Sequence, residues 1–120
     1  MTTDTLDFVK FPPINTKENK IKVIDMFIEK AESEFQYNKD HKNYALINQN
    51  YGFMKGLIEG RDHLTIKHFL NIGDAILWAK TQLNIEFSNR EYGKCDFWNY
   101  YISALKVCSV IIESGEIYGN

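Results

Sequence analysis

A chain of 120 residues, 44% hydrophobic and 14% aromatic, has the length of one domain and enough apolar material to bury a core. A formal net charge of −2 argues against the basic face that nucleic-acid binding requires, and against the dense acidity of a nucleic-acid mimic. Two cysteines, Cys95 and Cys108, without C-x-x-C spacing make neither a disulfide framework nor a zinc signature, and point to a reduced, cytoplasmic setting.

Residues 1–15, MTTDTLDFVKFPPIN, lack the basic start and long apolar run of a signal peptide. Pro12-Pro13 opposes helix, so the segment reads as an extended arm whose Leu6, Phe8, Val9, Phe11 and Ile14 lie along the domain. Asn15 and Glu18 approximate a capping box and open a first helix over about Thr16–Tyr37. Ile21, Ile24, Ile28, Ala31 and Phe35 form its apolar stripe, widened by Phe27. Lys17, Lys20, Lys22, Asp25, Glu29 and Glu32 make the opposite, solvated face.

Asn38-Lys39-Asp40 is the first turn, and Asp40 the expected cap of a second helix that ends at Gly60. Tyr44, Leu46, Ile47, Tyr51, Phe53, Met54, Leu57 and Ile58 fill one side of this helix. Gly52, Gly56 and Gly60 lie at four-residue spacing on the other, with Ala45 and Gln49. A glycine inside a helix costs roughly 1 kcal/mol relative to alanine, so three in register imply close approach of another backbone. That backbone belongs either to a helix of the same chain or to a homodimer or partner seam.

Asp62 is the expected cap of a third helix over about Leu64–Leu83, with Gly73-Asp74 as a possible break. Phe69, Ile72, Ile76, Ala79 and Leu83 form its main stripe, flanked by Ile66, Leu70 and Leu77. Trp78 falls on the other side with Lys67, Asn71, Asp74 and Gln82, and Arg61 lies at the edge. A tryptophan on a polar face reads as a binding anchor; the competing readings are that the arm covers it, or that a break at Gly73 changes the register. Residues 84–95 read as a connection, with Ser88 and Glu91 as a second capping box. The last helix is expected over about Asp96–Ser114, with Gly115 as its C′ residue. Its greasiest stretch, Tyr100–Ile112, is too short and too often interrupted to span a bilayer. The pattern predicts an all-α fold: a small four-helix bundle or orthogonal helical bundle in one domain, with an N-terminal arm.

Arg61 and His68 stand in an R-x6-H spacing, which resembles the active-site motif of the HEPN ribonucleases, helical bundles of similar size. The resemblance implies histidine for proton transfer and arginine for phosphate charge, paired across a dimer. Ile72-Gly73-Asp74-Ala75-Ile76-Leu77-Trp78-Ala79-Lys80-Thr81-Gln82-Leu83 resembles the I-G-x-x-L-x-x-A-K-x-x-L helix of uncharacterised helical proteins carried by phages and plasmids, some of which bind DNA through a following segment. Trp78 stands where those relatives carry a polar residue, and their downstream Ser-x-x-Thr-type turn is missing here.

No phosphate-binding loop or H-E-x-x-H motif is present, and His41, His63 and His68 do not share metal-ligand spacing, so no cofactor or metal is expected. Twelve lysines against two arginines, with abundant asparagine, isoleucine and tyrosine, match AT-rich coding. The expectation is a non-enzymatic helical protein-binding factor: a phage or mobile-element inhibitor of a host or defence protein, similar in kind to anti-CRISPR proteins, or an immunity protein. The alternatives are the HEPN-like ribonuclease and a small nucleic-acid binder, which needs Lys39, Lys42, Lys55, Arg61, Lys67 and Lys94 to build one basic face.

Overall fold

Each stretch of 3.6-residue apolar periodicity becomes a helix in the computed structural model, which describes residues 13–65 and 71–114. The helices are α1 (Lys17–Asp40), α2 (Tyr44–Thr65), α3 (Ile72–Ser88) and α4 (Tyr92–Glu113), and they pack as a small all-α bundle. The arm's residues 1–12, together with Ile66, Lys67, His68, Phe69, Leu70 and Gly115, lie outside the described residues. Ile14, the last apolar residue of the arm, packs against the core.

The helix boundaries depart from the local signals in instructive ways. The cap of α1 is Thr16, whose hydroxyl accepts the Asn19 N–H at 3.1 Å, and not Asn15. Asp40 ends α1 instead of capping α2. Helix α2 runs through Gly60 and Asp62 to Thr65, so neither residue marks a boundary. Glycine stops a helix when it adopts the left-handed conformation; Gly60 stays helical because the gain there is contact with another helix. The third helix starts at Ile72 and not near Leu64, capped by Asn71, whose Oδ1 accepts the Asp74 N–H at 2.8 Å. Gly73 and Asp74 therefore sit in the first turn of α3 and break nothing. The connection expected over 84–95 shrinks to Asn89-Arg90-Glu91, and Glu91 makes no side-chain capping bond.

Both helical hairpins close with the same backbone device. The N–H of Asn43 donates to Asn38 O and that of Lys42 to Lys39 O; Glu91 donates to Glu86 O and Arg90 to Phe87 O. These are the paired 6→1 and 5→2 bonds of a Schellman turn. Its left-handed position is held by Lys42 (φ 57°) and Arg90 (φ 61°), with no glycine in either turn. The absence of glycine is why the second turn read as a longer connection. Asn38 reinforces the first turn: its side chain donates to Glu34 O and to Asn50 Oδ1, and accepts from Asn43 Nδ2.

Within each hairpin the helices are antiparallel, but α2 and α4 run parallel. Gly52 lies on Phe97, Gly56 on Tyr101 and Ala104, and Gly60 on Cys108, so both numbers rise together. The spatial order is α1–α2–α4–α3, with α2 and α4 as the central pair and α1 and α3 on opposite flanks. Val23, Ile24, Ile28 and Ala31 of α1 meet Leu57 of α2 and Ala104, Cys108 and Ile111 of α4 in the main core. Ala75 and Ala79 of α3 pack on Ile102 and Leu105 of α4 in a second, smaller cluster. One charged residue contradicts the solvated-face expectation for α1. Lys20 is buried, and its ammonium donates to the Ile112 carbonyl in the last turn of α4. That turn has carbonyls with no helical partner, and a cation is the favourable group at a helix C-terminus.

Candidate protein-binding surface

On α3, residues 71, 74, 78 and 82 are spaced by three or four and so share one side of the helix. Asn71, Asp74 and Trp78 are exposed and Gln82 is half-buried. Asn71 commits its side-chain oxygen to the cap and Asp74 its amide, so these two shape the start of the helix. The Asp74 carboxylate sits in the first turn, where negative charge is favoured.

Trp78 is 47% exposed. Its ring stands edge-on to Trp98 of α4, with centroids 5.4 Å apart and planes at 82°. Trp98 in turn meets Phe97 at 5.0 Å and Tyr101 at 5.1 Å. Phe97 reaches Tyr51 of α2 at 5.7 Å, and Tyr51 reaches Phe35 of α1 at 5.4 Å. The result is a continuous aromatic strip that crosses all four helices. Its rings sit in the offset and edge-to-face range where aromatic pairs attract. Lys55 Nζ lies 5.9 Å from the centroid of Tyr51, within cation–π range.

Only Trp78 of this strip is legible as a site residue in the linear pattern. Trp98 and Tyr51 read there as ordinary apolar-face residues or pass unremarked. The available signal is the run Phe97-Trp98-Asn99-Tyr100-Tyr101, which places rings around more of α4 than one buried stripe needs.

Burial keeps the titratable groups near the strip neutral. The Tyr101 hydroxyl is pushed up to about 12, by desolvation first and then by the charges of Glu59 and Asp62. The Cys108 thiol is pushed up to about 12 by burial alone, and donates to Leu57 O at 3.8 Å. Cys95 is raised by burial and then by Glu86 and Asp96. A nucleophilic cysteine needs the opposite shift, so both thiols are packing groups.

The remaining candidate residues lie elsewhere. Arg61 is turned toward α1, where it pairs with Asp25 at 2.9 Å, and does not extend the Trp78 face. Lys67 and His68 are outside the described residues, so only Arg61 of the R-x6-H pair is placed. Gly52, Gly56 and Gly60 are buried against α4 of the same chain, which fills the seam that a second copy or a partner backbone would otherwise occupy. Among the described residues no helix is long and apolar enough to cross a membrane.

Comparison with known proteins finds no counterpart: no family model, no curated protein and no solved structure matches the chain.

Proposed function

We propose that this protein is a non-enzymatic helical interaction module that binds another protein through the aromatic strip centred on Trp78. One observation carries the reading. The two tryptophans of the chain meet at the surface, and the outer one stays half exposed while its own helix buries only the small side chains of Ala75 and Ala79. Tryptophan is among the residues most enriched at interface hot spots, and leaving so large an apolar side chain in water is unfavourable unless a partner covers it. The low net charge favours a protein partner over nucleic acid or a membrane surface. The likeness of Ile72–Leu83 to phage and plasmid proteins, with the AT-rich residue usage, supports a mobile-element factor acting in the cytoplasm: an inhibitor of a host or defence protein, or an immunity protein.

The test compares the tagged wild-type chain with Trp78→Ala in affinity capture from a bacterial lysate, with a thermal melt of each. The expected result is a specific partner that wild type retains and Trp78→Ala loses while still melting cooperatively. A partner held equally by both proteins rejects the Trp78 surface.

A further inference from the structure

Of the four helices, α3 is held to the bundle by the least. It packs substantially on α4 alone, whereas α1 meets both α2 and α4. It buries fully only Ala75 and Ala79, while Leu77, Trp78, Ile85 and Phe87 are exposed. Detaching α1 opens the main core at Val23, Ile24 and Ile28 and breaks the bond of Lys20 to the last turn of α4. Detaching α3 opens only the smaller cluster with Ile102 and Leu105, the half-buried Ile76 and Leu83, and Ile72, which also reaches the main core. A cavity of about 390 Å³ already lies between α3 and α4 near their shared turn, lined by Leu83, Asn84 and Phe87 on one side and Tyr92 and Cys95 on the other.

We infer that α3 is a detachable flap, which leaves α4 and unfolds while α1, α2 and α4 stay packed. An element with few buried apolar contacts opens at a free energy below that of global unfolding. Once off α4, a helix of 17 residues has little stability of its own. Gly73 and the β-branched Ile72, Ile76, Thr81 and Ile85 lower it further. Opening separates Trp78 from Trp98, the contact that joins α3 to the aromatic strip, so the strip is complete only in the closed state. A partner that binds across both tryptophans therefore holds α3 shut; this last step rests on the proposed binding role, and the opening itself does not.

The two thiols report on the two seams separately. Cys95, Trp98, Ile102 and Leu105 share the side of α4 that faces α3. Cys108 lies against Gly60 and Leu57 of α2. Opening of α3 uncovers the first thiol and leaves the second buried. The test is thiol labelling of the full chain at pH 8 in urea concentrations below the unfolding transition, with each cysteine followed by peptide mass spectrometry. Without urea, Cys95 is expected to label roughly tenfold faster than Cys108 or more, and with a shallower urea dependence, because its opening exposes less surface. Ile24→Val loosens the main core, so it accelerates Cys108 by roughly fivefold and leaves Cys95 unchanged. Ala79→Gly weakens a helix that is lost in both openings, so it accelerates both thiols. One rate and one urea slope for the two thiols, or a Cys95 rate that rises with Ile24→Val, overturns the inference, since α3 then leaves only with the whole fold. A Cys95 rate that Ala79→Gly does not change overturns it as well, because the thiol is then reached without any opening.

Discussion

Gly56 meets the backbone of Tyr101 so closely that a Cβ added to it stands 2.5 Å from the Tyr101 carbonyl oxygen and 2.7 Å from the Ala104 Cβ. Backbone cannot move aside as a flexible side chain does. The same holds at Gly52, where an added Cβ lies 2.9 Å from the Phe97 Cα. The parallel contact of α2 and α4, and with it the placement of Phe97 and Trp98, depends on these positions lacking a side chain.

Gly56→Ala therefore tests the seam by its sign. On an open helix the change stabilises by about 1 kcal/mol through propensity. Overpacking against Tyr101 and Ala104 costs typically about 1–3 kcal/mol, so the net expectation is a lower melting temperature, and Gly56→Leu falls further still. A melt of Gly56→Ala at or above wild type rejects the tight seam.

Trp78→Ala separates an anchor from a core residue. With about half of the residue exposed and an edge-to-face contact to Trp98, its removal should destabilise by about 2 kcal/mol, near half the cost of full burial. A fully buried tryptophan costs about 3–5 kcal/mol. Urea unfolding measures the difference, and a loss in the higher range means that the face is covered.

Lys20→Met keeps an unbranched apolar stem and removes the charge that meets the Ile112 carbonyl. Leaving a buried acceptor without its donor costs about 1–3 kcal/mol. The expected outcome is a destabilised protein whose amide exchange is fastest in the last turn of α4. Uniform protection along α4 in the variant contradicts the capping role.

Alkaline pH should weaken the fold through Cys108 and Tyr101. Both hold their protons more tightly when folded, to about 12, against ordinary values of 9.0 and 10.0. The folded state then binds more protons than the unfolded one, so stability falls as pH rises. The contribution is intact below about pH 9 and is lost progressively from there to about pH 12. Cys108→Ala removes the thiol's share and should flatten the decline measured by denaturant unfolding across that range. An unchanged pH slope means that the thiol ionises alike in both states. In native wild type, thiol reagents at pH 8 should label Cys108 only as the chain unfolds, because the thiol is buried.

Arg61→Ala probes the ribonuclease alternative. The Asp25 pair is partly exposed, and such pairs contribute about 0–1 kcal/mol, so a near-native melt is expected, with no RNA cleavage by wild type or variant. Metal-independent cleavage that disappears in Arg61→Ala and in His68→Ala would replace the binding-module proposal.

Much of this architecture follows from the residues alone. The stripes Ile24-Ile28-Ala31 and Ala104-Leu105-Cys108-Ile111 repeat at the helical period, and burying them requires a helical bundle. The glycines at 52, 56 and 60 signal close approach because their local cost has no other return. Helix ends were less legible, since Gly60, Asp62 and Ser88 carry boundary chemistry that tertiary contact or turn geometry overrides. Which backbone meets the glycines, that α2 and α4 run parallel, and that Lys20 points inward are set by packing between segments far apart in the chain. The aromatic strip belongs to the same class. Trp78 is conspicuous on its own helix, but its alignment with Trp98, Phe97, Tyr51 and Phe35 exists only once four helices bring their rings within about 6 Å of one another. Periodicity along a chain specifies which face of each helix turns inward, whereas the pairing of faces is decided by shape, and here by three missing side chains.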